Sequence, residues 1–390
     1  MRLEELGAEL DRRLEAADAA LAADYPGDRG VRQPVHTVYI PADRYDDRTV
    51  ADWGAQARTA LAGHDLAAVL GVPADVYDRM SAKLEREPIE DLRIDFEDGY
   101  GDRPDAEEDA AAVAAARVAR QTPYYGLRVK SLEAPTRRRA IRTLDLFVRE
   151  GGVGEGFVVT LPKVTSVEQV EAFRYVLETL EETYRLPELK FEIQVETPQA
   201  ILGADGTALI ARMLKAGGSR VTGLHYGTYD YSASLGVAAA YQSMEHPVAD
   251  HAKDVMQLAT AGTGVFVSDG STNVLPVGDG VQAAWQLHFR LVRRSLARGI
   301  YQGWDMHPAQ LPTRFLATYL FYREGFDQAA ARLRAYLGHG ESGYLDEPAT
   351  ATALAAFVLR GLDCGAIDEA EIDQLIGVDL GELAKLARRA

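Results

Sequence analysis

The sequence predicts an α/β protein built as a (β/α)8 TIM barrel, with an N-terminal helix and a C-terminal helical extension. Three observations predict it. Eight short β-rich runs alternate with helical runs, roughly 30 to 55 residues apart, the pattern of a parallel sheet. Eight such units favour a closed barrel over an open doubly wound sheet. No G-x-G-x-x-G stands at the first strand–helix turn, which weakens a dinucleotide-binding fold. The expected divisions are an N-terminal helix over 1–30, a barrel over 31–312 and a helical appendage over 313–390.

In chain order, residues 1–25 read as an amphipathic surface helix with leucines at 3, 6, 10, 14 and 21. They lack the apolar core of a signal peptide. The first strand is expected over 34–40, ended by Pro41. Residues 47–90 are Ala-rich and helical, with breaks near Gly63 and at 71–73. The second strand (92–99, LRIDFEDG) runs into acids and a glycine turn. A helix at 105–120 begins with acids and ends with arginines, which suits its dipole. The third strand is expected over 125–129, a helix over 135–149, and the fourth strand over 156–163. A helix follows from the cap Ser166. The fifth strand is FEIQVETP, starting at Phe191, then one helix over 198–216. The sixth strand spans 221–226, a helix 246–261, a short seventh strand 265–267, a helix 280–298 and the eighth strand 300–306. Residues 311–390 are helical, with breaks expected at Gly325, 338–343, Gly361 and Gly365. The Gly-rich run at 262–280 reads as a flexible lid; it is a poor phosphate loop, having no G-K-[ST].

Composition bounds the partners. The 390 residues carry 59 acids against 42 Lys plus Arg, a net charge of −17. Such a surface argues against nucleic acid or an anionic membrane as the main partner. No apolar run approaches the ~20 residues of a membrane helix. The single cysteine, Cys364, forms no internal disulfide, so a reducing, cytoplasmic location is expected.

The chemistry concentrates at strand exits. Glu196 ends the fifth strand and Asp230 follows the sixth, so both carboxylates can face one cavity. With no His or Cys cluster nearby, they suit a hard cation, Mg2+ before Zn2+. Either acid alone could equally cap the next helix. Arg128 leaves the third strand with a fork suited to a carboxylate or enolate oxygen, or to a pair with Asp95 or Glu97. Asp95, Glu97 and Asp98 crowd one strand end and need a counterion: Arg128, Lys163 or a metal through water. His307 titrates near neutrality in principle, but a His-Pro at a strand end is more often structural. His225 reads as a core residue.

Taken together, these stretches resemble the citrate lyase β-subunit and malyl-CoA lyase-like (HpcH/HpaI aldolase) family. That family is a branch of the phosphoenolpyruvate/pyruvate barrels that also holds the malate synthases. The resemblance rests on VYIPADR, IDFEDGYG, Arg128-Val129, LPKV, VETPQAIL, YGTYD and MHPAQL, seven motifs in order over residues 35–350. It implies that Glu196 and Asp230 ligate Mg2+ (or Mn2+) and that Arg128 holds the oxygen that becomes an enolate. It also implies that the turn Gly227, Thr228, Tyr229 and Asp230 receives the substrate carboxylate. Asp346, in LDEP, matches the family's acid/base aspartate, delivered from a neighbouring subunit of a trimer or hexamer; the same residues also read as a helix start.

The chain departs from the pattern at Lys130, Tyr229, Gly303 and Trp304-Asp305, positions that bear on a CoA thioester more than on the metal. The expected activity is a Mg2+-dependent carbon–carbon lyase or aldolase on a 2-oxo or 2-hydroxy acid, free or as its CoA thioester. The alternatives are a malate synthase-like condensation or malyl-CoA thioester hydrolysis, and a non-catalytic metabolite-binding barrel.

Overall fold

The computed structural model describes residues 3–338 and 343–389. Eight strands form one parallel sheet: β1 (His36–Pro41), β2 (Asp91–Asp95), β3 (Tyr124–Arg128), β4 (Phe157–Leu161), β5 (Lys190–Val195), β6 (Val221–Tyr226), β7 (Phe266–Ser268) and β8 (Gly303–Asp305). Their order is β7-β6-β5-β4-β3-β2-β1-β8. The remaining seam, β7 to β8, is joined by a parallel bridge from Ser268 to Gln302 and by Asp269 N–H donating to the Gln302 carbonyl at 2.9 Å. The expected (β/α)8 barrel is therefore present.

The helices are α1 (Leu3–Asp24), α2 (Thr49–Ala60), α3 (Leu66–Leu70), α4 (Ala74–Arg86), α5 (Asp105–Ala116), α6 (Arg137–Arg149), α7 (Val167–Tyr184) and α8 (Pro198–Ile201). They continue with α9 (Leu209–Gly217), α10 (Thr228–Ser234), α11 (Pro247–Thr260), α12 (Val281–Ala297), α13 (Leu311–Tyr336), α14 (Pro348–Asp363), α15 (Glu369–Leu375) and α16 (Leu380–Leu386). Among the described residues none is long and apolar enough to cross a membrane.

Period-2 alternation sets the two faces of the barrel wall. Val38, Ile40, Leu92, Ile94, Leu127, Val159, Phe191, Ile193 and Val195 are buried against the helices. The intervening positions point inward and are mostly polar, Gly126 and Val158 excepted. Arg93 of β2 reaches across to Glu192 of β5 (2.8 Å) and Thr160 of β4 (3.2 Å), and also pairs with Asp91. His225 of β6 stands 3.0 Å from Glu192. A barrel lumen is usually filled by branched apolar side chains; here an ion-pair lattice fills its lower half.

Several element boundaries differ from the sequence expectation. The single helix expected over 198–216 is two, because residues 202–208 make a turn in which Asp205 accepts from Thr207 N–H and Gly206 takes φ +79°. Helix α5 stops at Ala116, so Arg117 and Arg120 lie beyond it. The glycines at 325 and 361 do not break helices; both lie inside α13 and α14. Gly325 is there for contact: a Cβ would stand 2.8 Å from the Phe357 ring. Gly325→Ala is expected to cost about 1–2 kcal/mol through overpacking, read as a lowered urea midpoint with an unchanged slope. The break expected over 338–343 lies largely outside the described residues. Nor is 262–280 a lid as a whole. Residues 268–272 are buried, with Asp269 bound to the Lys253 ammonium at 2.9 Å and Thr272 O accepting from Gln310.

Candidate active site

The C-terminal ends of β2 to β6 bring the acids together. Glu196 directly follows β5, and its Oε1 accepts the Lys163 backbone N–H at 2.7 Å. Lys163 itself sits just past β4 with φ +50°, a left-handed conformation that non-glycine residues rarely hold. From there its ammonium contacts Glu97, lies 2.9 Å from Asp98, and is 3.6 Å from Asp230. Asp230 enters from the first turn of α10, and its side chain is about half exposed. Between Glu196 and α10 stands Gly227: a Cβ there would lie 2.5 Å from Glu196 Cβ, so only glycine lets β6 turn away over this carboxylate.

Arg128, at the end of β3, is buried and binds Asp95 in a two-pronged pair at 2.7 and 2.6 Å. Its third nitrogen, Nη1, makes only long contacts, 3.5 Å to Gln194 Oε1 and 3.4 Å to Glu97. The guanidinium lies against the paired rings of Tyr39 and Trp304, 4.8 and 5.5 Å from their centroids, the two rings standing 4.5 Å apart. Of the two roles left open for Arg128, the structure shows the pair with Asp95 and leaves one nitrogen directed elsewhere. A cleft of about 590 Å3 opens beside it, lined by Tyr39, Trp53, Trp304, Arg44, Asp98 and His307 among others.

The electrostatics are unbalanced. Asp95, Glu97, Asp98, Glu196 and Asp230 face two cations, Arg128 and Lys163. Burial is the main reason the Glu196 carboxyl is pushed up to about 8; Lys163 opposes the shift, while Glu97 and Asp230 add to it. Burial likewise raises Glu97, against Arg128 and Lys163. Asp98 moves the other way: the hydrogen bond and charge of Lys163 outweigh burial and hold it low. Burial opposes the charge on Arg128, but Asp95 more than offsets it.

The other expected residues divide. Thr228 Oγ1 accepts from Ser271 N–H at 3.2 Å, and the Tyr229 hydroxyl accepts from Asn273 N–H at 2.5 Å. Both thus pin the loop after β7. His307 lines the cleft, but its Nδ1 caps the following turn by accepting from Ala309 N–H, and burial lowers its pKa. Asp346 is bound by Arg332 of α13, whose hydrogen bond lowers its pKa. Tyr39, Gln194 and Trp53 were not anticipated, and Trp304 only as a departure from the family pattern. The signal for two of them was present: Gln194 alternates with Glu192 and Glu196, and Tyr39 with Thr37, so each shares the inward face.

A family profile described as "Domain of unknown function (DUF6986)" matches residues 14–390. The chain belongs to the DUF6986 family. No curated protein matches it. Solved structures do share the fold of this DUF6986 chain. A citrate lyase from Burkholderia xenovorans LB400 is 16% identical over 88% of this chain and 96% of its own, with a TM-score of 0.64. A Haloferax volcanii malate synthase, solved as a lead(II) complex, is 14% identical over 93% and 99%, with a TM-score of 0.54. The CitE protein of Mycobacterium tuberculosis, solved with magnesium, acetoacetate and coenzyme A, is 19% identical over 86% and 99%, with a TM-score of 0.52. At these identities the likeness establishes the barrel architecture that the seven motifs implied.

The donor chemistry of the site fits a divalent cation. Among the described residues no three His, Cys, Asp or Glu side chains cluster to hold an ion unaided. Two carboxylates, with the remaining positions taken by water and a chelating ligand, match the habit of Mg2+. The surplus of buried negative charge around Glu196 is the deficit such an ion would correct.

Proposed function

We propose that this DUF6986 protein is a Mg2+-dependent carbon–carbon lyase or aldolase acting on a 2-oxo or 2-hydroxy acid through an enolate. The observation that carries the reading is the buried Glu196 carboxyl, under-compensated in charge and facing Asp230 from the adjoining strand end. Glu196 and Asp230 would hold the ion, and Mg2+ when bound would supply Lewis-acid polarisation of the substrate carbonyl. Arg128 donates Nη1 toward the oxygen on which charge develops, and Tyr39 and Trp304 keep the fork from turning. The N–H groups of Thr228 to Asp230 receive the substrate carboxylate; that of Gly227, also expected to, is held by the Val195 carbonyl at 2.9 Å. Asp346, once released from Arg332, moves the proton at the carbon nucleophile in a neighbouring copy of a homo-oligomer.

The test is proton–deuterium exchange at the methyl group of pyruvate in D2O, followed by NMR with Mg2+ and with chelator, with and without an acyl-CoA. Exchange that needs Mg2+ and disappears in Asp230→Asn supports the reading. Exchange at wild-type rate with chelator present removes it. The acyl-CoA arm shows whether a thioester takes part. Asp346→Asn is expected to lower pyruvate exchange roughly 100-fold or more, as loss of a general acid–base group does, while leaving Mg2+ binding within about twofold; comparing the exchange rate with calorimetry checks this.

Lys163 supplies a further prediction. Its ammonium neutralises the acids that an ion would also neutralise, so the two compete. Lys163→Met is expected to tighten Mg2+ binding about tenfold by calorimetry and to lower the stability of the metal-free protein by about 1–3 kcal/mol, because Glu97 loses its partner.

A further inference from the structure

At the end of the barrel opposite the candidate active site, where the strands begin, a cleft of about 670 Å3 opens between the strap that follows α1 and the ends of α9 and α11. Its size is that of a small-molecule site, roughly 300–1,000 Å3. The cleft is cationic in an acidic chain. Arg29 of the strap, Lys190 of β5 and Lys215 of α9 line it against one acid, Asp24, although acids outnumber Lys plus Arg by 59 to 42 overall. Lys190 is engaged by Glu188, which does not line the cleft, and by the Ser219 carbonyl at 3.0 Å. Lys215 is freer. Its 3.2 Å pair with Asp24 joins side chains 76 and 44% exposed, and such a pair contributes little.

Arg29 names the ligand. It is half-buried and makes no ion pair among the described residues. Nη2 donates to the Val221 carbonyl at 2.7 Å, while Nε and Nη1 have no acceptor among the described residues. Burial holds the group below the usual arginine range, with only the charge of Glu188 opposing. A cation drawn out of water without a counterion is costly, yet the backbone is shaped to admit this one. Gly264 takes φ +74°, and a Cβ there would lie 2.9 Å from Arg29 Cγ and 2.7 Å from the Gly27 carbonyl oxygen. Any larger residue at 264 would displace the arginine stem or the strap.

We propose that this cleft binds a small molecule through an oxyanion group, phosphate or carboxylate, seated on the uncommitted N–H groups of Arg29 with Lys215 beside it. Charge-assisted hydrogen bonds from a guanidinium suit either group. The site lies at the far end of the barrel from Glu196 and Asp230 and does not depend on the reaction proposed above.

Calorimetry on the full chain tests this, with chelator present to keep metal from the candidate active site. Inorganic phosphate and succinate are titrated separately. At least one is expected to bind with a Kd in the millimolar range or below, the tighter of the two identifying the group. Arg29→Met should weaken that binding about tenfold or more, as loss of a charge-assisted hydrogen bond does. Ala211→Glu should do the same without touching Arg29. It sets a carboxylate four residues before Lys215 on the same face of α9, where it neutralises Lys215 and supports the helix. Far-UV dichroism of that variant should match the wild type. Lys163→Met, which alters the other end of the barrel, should bind both anions as the wild type does. Binding of neither anion overturns the proposal. So does binding that either cleft variant retains, or that Lys163→Met removes.

Discussion

Glu196→Gln will abolish metal-dependent turnover and yet stabilise the metal-free protein at pH 8. In the folded chain burial raises this carboxyl to about 8 from an ordinary value of 4.5. The folded state therefore holds a proton that the unfolded state releases above pH 4.5. Stability from this group is greatest below that value, falls as the pH rises toward 8, and is level beyond. At ~1.4 kcal/mol per pKa unit the penalty reaches a few kcal/mol, of which roughly 2 to 4 kcal/mol should return in the glutamine variant at pH 8. Glutamine keeps an oxygen for the Lys163 N–H. Thermal melts at pH 5 and pH 8 check the sign: the gap between variant and wild type must widen with pH. The same group makes Mg2+ affinity rise with pH up to about 8, with close to one proton released per ion below it. Calorimetry in buffers of different ionisation enthalpy reads that proton directly. A wild type whose Mg2+ affinity is flat from pH 6 to 8 would contradict the assignment of Glu196 to the ion.

Arg128→Met carries the second large effect. It removes the guanidinium from the Asp95 carboxylate, which is buried and otherwise meets only the N–H groups of Glu97 and Gly99. Leaving one partner of a buried pair costs about 3–5 kcal/mol. Removing an oxyanion donor costs roughly 100- to 1,000-fold in rate. Asp95→Asn added to Arg128→Met separates the two consequences: most of the stability should return and none of the rate. If the double variant regains turnover, Arg128 serves the fold alone. Arg128→Lys is no substitute, since an ammonium cannot make the two-pronged pair or lay a planar face against the Tyr39–Trp304 ring pair.

The barrel was legible because β-rich runs and helical runs alternate plainly, and because strand-exit acids are visible one motif at a time. Glu196, Asp230, Arg128, Asp95, Glu97 and Lys163 are brought to one end of the sheet. Less legible was which face of each strand looks inward. An α/β barrel strand is expected to be apolar on both faces, so FEIQVE reads as a strand but not as three polar side chains entering the lumen. The Tyr39–Trp304 ring pair beside Arg128 depends on β1 and β8 meeting through barrel closure, a relation over more than 260 residues that no local pattern carries. Gly325 and Gly361 were misread because glycine spacing alone does not distinguish a helix end from a tight helix crossing.

The filling of the lumen has a consequence for how this chain tolerates change. Arg93, Asp91, Glu192 and His225 satisfy one another across three strands, and all four are buried, where an orphaned charge is costly. Substitutions there are acceptable only as matched sets: Arg93→Met alone should fail to express, whereas Arg93→Met with Asp91→Asn and Glu192→Gln should be soluble. Redesign of this scaffold has to treat those positions as one inherited word, replaced whole or left alone.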